Sequence, residues 1–438
     1  MILQHVHGWF VARRWPPPFA LTLIIPVILG SNGAAQPVSP TAPNGPAFPE
    51  KPIPVYTLDD CLAIGRSQQP TLQAAQASLA AAQTAERGLN EIRFGQILAR
   101  DLPARRQQAA HGVAAAAANL CQVERDVDCS IARMFYSVIY AREQKKVTTQ
   151  IVNLLSAVEK NGRTMLGKEG APADLNPLAV EKAHLYLLKT QERDAEADAG
   201  LQRALAGLRE AMGLCPDVSF AVAEARLPEP LAGVSKQQII CMALSQRGEI
   251  EQANNAAAIS ELEIEAQQKS RFVKRPTAAA GGDMHARPIP TGSFGEDYKP
   301  GAIGIDFPTL FVGPRSTRVE RANDLAARNS ATADKTRNLI ALEAEDAYLR
   351  WEEAFTKIGK LRPNLANADS LSQKLNPRLV EEGGVSYRDI LETQVLIAQF
   401  RAELNEALYR HAVALTELER VTGGGFAAGI TIKAAGKP

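Results

Sequence analysis

A chain of 438 residues has room for two or three ordinary domains, but 5% aromatic residues and long Ala-rich helical stretches point to elongated bundles rather than several compact globules. With 49 basic against 48 acidic residues there is no net field to attract a nucleic acid or another polyanion. The six histidines are scattered and no Cys/His or nucleophile spacing is present, so the sequence predicts no enzyme, no catalytic residue, no metal site and no cofactor.

Residues 1–35 carry the three parts of a secretory signal: basic Arg13 and Arg14, an apolar core from Phe19 to Gly30, and small residues ending at Ala34 and Ala35. Residues 36–55 follow as a linker whose seven prolines exclude a helix or a central strand. The five cysteines are an odd count for an exported chain. Cys121 and Cys129, eight apart on a helical pattern, read as small buried hydrophobes, and Cys61, Cys215 and Cys241 sit near element ends where one disulfide is possible.

From Tyr56 the chain is duplicated, with a first repeat over 56–214, a linker over 215–234, a second repeat over 235–423 and a tail over 424–438. Each repeat opens with a short helix, a break and a second helix, and Leu72 matches Ile250 at an offset of 178 (250 − 72). Much longer helical patterns follow, from about Ala104 to Arg163 and from about Arg315 to Leu379, where Tyr136 matches Tyr348 at an offset of 212 (348 − 136). Some 60 residues of helix reach on the order of 90 Å, longer than any compact domain needs. Pro363 and Pro377 are expected to kink or break the second rod. The paired carboxylates Asp59-Asp60 and Glu381-Glu382 read as solvated or capping groups, and Trp351 as a packing residue.

The offset grows by 34 (212 − 178) between the two matches, about the length of a β-hairpin near 276–313 that the first repeat lacks. Its strands, Thr277 to Arg287 and Gly301 to Phe311, have the length a tilted strand needs to cross a bilayer. In the second strand Ile303, Ile305 and Phe307 share one face, opposite Ala302, Gly304 and Asp306.

Each long helix turns at glycine and returns as another helix. The first turn has Gly170 as terminator and Asp174 as N-cap; the second has Gly383 or Gly384 as terminator, with Ser386 and Asp389 spaced as a capping box. Helix capping alone accounts for these residues, and an antiparallel coiled coil accounts for the return helices.

The order of these pieces resembles the TolC-type outer-membrane efflux proteins. The matching residues are the openings (Leu58, Cys61, Leu62, Gln69-Pro70, Leu72; Ala243-Leu244, Arg247, Glu249-Ile250), the run from Gly304 to Ala322, and the tip from Gly383 to Gln394. The resemblance implies a mainly α fold in which long antiparallel helical hairpins of two tandem repeats form an α-barrel, with one membrane β-hairpin per chain. It further implies a homo-oligomer, a trimer, in the outer membrane and reaching into the periplasm, with Ile303, Ile305 and Phe307 facing lipid. Gly170, Asp174, Gly383, Gly384, Ser386 and Asp389 would face a periplasmic adaptor joined to an inner-membrane pump. The expected function is a conduit for small molecules or protein in efflux or type I secretion. The alternative is a non-conducting periplasmic partner-binding protein, because three chains with one hairpin each give six strands and eight already fill a barrel with side chains.

Overall fold

The computed structural model describes residues 53–92, 99–168, 175–223, 226–231, 233–270, 283–284, 288, 297–300, 303–306, 311–374 and 386–429. The secretory signal, most of the Pro-rich linker and a C-terminal strand expected at Ile430 to Ile432 lie outside these residues.

The duplication is visible as matched helices. Helix α1 (Leu58–Gln68) starts at a capping box: Thr57 Oγ1 accepts from Asp60 N at 3.3 Å, and Asp60 Oδ2 accepts from Thr57 N at 2.9 Å. Pro70 then occupies the first position of α2 (Pro70–Asn90), where a missing N–H costs nothing. The long α3 (Leu102–Met165) and its return α4 (Pro177–Ala211) complete the repeat. The second repeat runs α5 (Lys236–Gln246), α6 (Gly248–Lys269), α7 (Arg315–Lys374) and α8 (Tyr387–Val421). Helices α1 and α5 each have 11 residues and are offset by 178 (236 − 58); α4 and α8 each have 35 and are offset by 210 (387 − 177).

Helix α3 has 64 residues and α7 has 60, close to the expected rods, and at 1.5 Å per residue each is about 90 Å or more in length. Pro363 does not end α7, as expected of a local interruption; it stands inside the helix, where packing along the rest of the rod outweighs one lost hydrogen bond. Pro377 lies outside the described residues.

Two short strand pairs accompany the helices. Strand β1 (Val55–Tyr56) pairs in parallel with β2 (Ala221–Val222), tying the start of the helical body to the link between repeats, a contact the sequence pattern did not reveal. Strand β3 (Asp283–Met284) pairs antiparallel with β4 (Ile303–Gly304), with Asp283 opposite Gly304 and Met284 opposite Ile303. These four residues lie in the two expected hairpin strands.

Helix α3 packs against α1, α2 and α4 of its own repeat and against α6 and α8 of the other, while α7 packs against α5, α6 and α8. The largest core cluster gathers Ile131, Phe135, Val138 and Ile139 of α3, Leu208 of α4, Ile340 and Trp351 of α7, and Leu415 and Leu418 of α8. Trp351 is 5% exposed and stacks on Phe355 at 5.5 Å, as a packing residue should. A buried ionic seam joins α6, α7 and α8 of the second repeat to α3 of the first. Arg420 of α8 pairs with Glu343 of α7, with Glu417 at 2.6 Å and with Asp126 of α3 at 3.4 Å, and Arg247 pairs with Glu343 and Glu249. Burial opposes the charge on Glu343, but the Arg420 and Arg247 guanidiniums outweigh it and hold that carboxyl below its ordinary range.

The cysteine expectations are partly overturned. Cys61, Cys121, Cys215 and Cys241 are free thiols, so no disulfide joins Cys61, Cys215 and Cys241. Cys129 is buried as expected, its Sγ donating toward Glu417 at 3.7 Å, but Cys121 is exposed. Eight residues advance a helix by about 80° past two full turns, enough to carry Cys121 off the buried face.

Both repeats close at a glycine in the left-handed region. Gly213 has φ of 73° and Gly423 has φ of 60°, and a Cβ there would lie 2.8 Å from Gln68 O and 2.5 Å from Gln246 O, respectively. Gln68 and Gln246 are themselves equivalent last residues of α1 and α5. Gly213→Ala and Gly423→Ala should each destabilise the protein by about 2 kcal/mol or more, read as a lowered urea midpoint. An unchanged midpoint would show that the turn relaxes freely.

His411 is 0% exposed, and neither ring nitrogen has a hydrogen-bond partner. Burial pushes its pKa down to about 4. Above pH ~6.5 the ring is neutral in folded and unfolded chains alike, but as the pH falls from there to about 4 the unfolded chain binds a proton that the folded chain does not. Stability should therefore fall by about 3 kcal/mol across that window from this residue, and His411→Leu should flatten the profile by that amount in urea melts at pH 7 and pH 4.

Candidate functional site: the helical hairpin tips

At the first tip α3 ends at Met165, and Gly167 takes a φ of 80°. Helix α4 restarts behind Asn176, whose Oδ1 accepts from Ala179 N at 2.9 Å, with Pro177 at the first helical position. The cap is thus Asn176 rather than Asp174, because Pro177 fixes the start of the helix and the residue just before it is the one placed to bond the first turn. Gly170 and Asp174 lie outside the described residues, as do Gly383 and Gly384 of the second tip. Ser386 caps α8, but its Oγ accepts from Arg388 N at 3.1 Å rather than from Asp389 N, so it is a simple N-cap and not the expected capping box. Asp389 sits in the first turn of α8, where its charge suits the helix dipole.

The tips are not independent. A second hydrophobic cluster joins Leu155 of α3, Ala183 and Leu187 of α4, and Tyr387 and Leu391 of α8. The first turn of the second-repeat return helix is therefore seated on the first-repeat hairpin. Tyr387 Oη donates to Val158 O at 3.0 Å, and the ring lies over Gly162, where a Cβ would fall 2.8 Å from Oη and 3.1 Å from Cζ. Beside it Glu159 Oε1 lies 2.6 Å from Arg163 Nη2 and 2.9 Å from His184 Nδ1. Gly162 and Tyr387 were not among the expected site residues. The available signals were a glycine inside a long helical run and an aromatic residue directly after the cap.

On the outer side of α4, Leu178, Leu185 and Leu188 are 64%, 57% and 47% exposed and form one stripe at seven- and three-residue spacing.

At the other end of the rods, β4 carries Ile303, Ile305 follows it half-buried, and Phe307 lies outside the described residues. Asp306 Oδ2 pairs with Arg328 Nη1 at 2.6 Å, and both side chains are more than half exposed. Arg328 is about 20 Å along α7 from Arg315, so Asp306 lies beside that helix. Among the described residues no helix is long and apolar enough to cross a membrane, and no group of three or more His, Cys, Asp or Glu side chains could hold a metal.

No protein-family model and no curated protein matches the sequence. Solved structures match most of its length. The outer-membrane channel OprN superposes with a TM-score of 0.64 at 13% identity, over 84% of this chain and 90% of its own. The outer membrane protein VceC of Vibrio cholerae gives 0.64 at 15% identity, covering 84% and 96%. The chain has the outer-membrane channel fold. The MtrE outer membrane channel of Neisseria gonorrhoeae, in its open state, shares this channel fold with a TM-score of 0.55 at 14% identity, covering 84% and 89%. The TolC-type resemblance and the mainly α class are thus borne out as fold. At these identities the likeness is one of architecture.

A double-mutant cycle tests the seat between the tips. Tyr387→Phe removes one hydrogen bond and should cost about 1 kcal/mol, whereas Gly162→Ala drives a methyl group into the ring and should cost about 2 kcal/mol. The two should couple by at least ~0.5 kcal/mol, measured by chemical denaturation. Strict additivity would mean that the two residues do not meet.

Proposed function

We propose that the chain is the outer-membrane tunnel of a multi-part efflux or type I secretion system, passing small molecules or protein from the periplasm to the outside. The observation that carries this reading is the pair of rods some 90 Å long, matched along nearly the full length of outer-membrane channels. Helix α3 receives α6 and α8 from the other repeat, but among the described residues the mirrored packing of α7 against α2 and α4 is not made to a comparable extent. Those faces, with the exposed Leu178, Leu185 and Leu188, suit further copies of this chain, and a trimer is the assembly the resemblance implies. In this reading the periplasmic adaptor of an inner-membrane pump meets the end bearing Gly170, Asp174, Gly383, Gly384, Ser386 and Asp389. Ile303, Ile305 and Phe307 meet outer-membrane lipid.

Insertion then requires the hairpin arm to leave α7. Asp306 and Arg328 form an exposed pair, so its opening costs at most about 1 kcal/mol. The same pair favours the second reading, a non-conducting periplasmic protein that binds partners through the tips and keeps its hairpin on the rod.

One set of measurements separates them. A conduit should extract with detergent from the outer membrane as a homo-oligomer and give discrete current steps in planar bilayers. Recovery only as a soluble periplasmic monomer would end the conduit reading. The mass of the detergent-extracted assembly fixes the number of chains, and with two strands per chain the barrel size follows.

A further inference from the structure

The junction between the second and third helices is built alike in the two repeats. In the first repeat Arg106, near the start of α3, reaches back to the end of α2: Nε donates to Leu89 O at 3.1 Å and Nη2 to Ile92 O at 2.8 Å. In the second repeat Arg318, near the start of α7, donates through Nη2 to the carbonyl of Ser270, the C-cap of α6, at 3.3 Å. Ile92 and Ser270 are related by the offset of 178 (270 − 92) that relates α1 to α5, and Arg106 and Arg318 by the offset of 212 (318 − 106) that relates Tyr136 to Tyr348. This is one duplicated contact. Between its ends stand 13 residues (106 − 92 − 1) in the first repeat and 47 (318 − 270 − 1) in the second.

The chemistry explains why the contact does not depend on what lies between. A helix C-terminus leaves carbonyls without intrahelical partners, and a cation there is favoured by the helix dipole. A guanidinium offers several donors in a fixed fork, so one side chain on the incoming helix satisfies the outgoing one and sets their spacing. We infer that Arg106 and Arg318 are positioning residues that close the helical body by themselves, and that the second-repeat hairpin is an insert the body does not need in order to fold. The first repeat is the control within the same chain: α2 and α3 are joined and packed with only the short connection. The inference concerns the body alone and holds whichever functional reading is correct.

The test replaces residues 271–310 by the six-residue first-repeat segment 93–98, Arg-Phe-Gly-Gln-Ile-Leu, which keeps Phe311, buried beneath the Arg321 guanidinium, in place. The variant should retain the helical circular-dichroism signal and a cooperative melt within about 5 °C of the parent. Loss of the cooperative melt overturns the inference. In the full chain, Arg106→Met and Arg318→Met should speed amide exchange about tenfold at 89–92 and at 267–270 respectively, and little elsewhere. Unchanged exchange at those amides also overturns it. Both readouts are taken without a bilayer, so a failed conductance measurement leaves them standing.

Discussion

Helix α3 is the member on which the lateral packing leans. A helix of 64 residues cannot bury itself in a globule, and most of its stability must come from packing along its length. It finds that packing on two sides, with α1, α2 and α4 from its own repeat and α6 and α8 from the other. Much of the contact surface is small: Ala104, Ala115, Ala118 and Ala132 are buried, which lets neighbouring helices lie close without the bulky aromatics that the composition withholds. Both ends of the molecule then inherit their positions from α3. Its C-terminal part seats Tyr387, and its N-terminal part carries Arg106.

Against this shared frame the two repeats have diverged in chemistry at equivalent positions. Gln69 donates through its side-chain amide to Glu210 O and Ala211 O, satisfying the C-terminal carbonyls of α4 with a neutral group. Its counterpart, Arg247, joins Glu343 and Glu249 in the buried ionic seam instead. Such a seam adds little net stability over an apolar one, since desolvation offsets most of the attraction. What it adds is exactness of register: Arg420, 1% exposed, has partners on α3, α7 and α8 only in one alignment of those helices. At the equivalent site the first repeat is held by the Leu208 and Ile131 core.

The architecture was legible in the sequence because it is periodic and occurs twice. The 178 offset relates α1 to α5 to the residue, and the helical pattern placed α3 and α7 within a few residues at the ends that are described. What escaped was either aperiodic or decided by contact across the chain. Strand β1 is two residues long and owes its existence to β2, some 165 positions away, so no local pattern announces it. The cap at Asn176 was passed over for an aspartate two residues earlier, although both side chains are competent caps and only Pro177 discriminates. Gly162 stands inside a long helix, and its reason, the ring of Tyr387, comes from the other repeat. Cys121 failed because a helical face drifts with distance, while Ser386 succeeded because a cap is a local device.

The duplicated arginine contact also bears on how such a chain can change over generations. Insertions and deletions usually harm helical proteins because they rotate every later side chain about the axis. Here Ile92 and Arg106, like Ser270 and Arg318, bracket a stretch whose length is not read by any helix that follows. Loss or gain of an in-frame segment at that point leaves the pattern of α3 or α7 in phase, so selection can act on the segment between the brackets and on the rods as separate hereditary units.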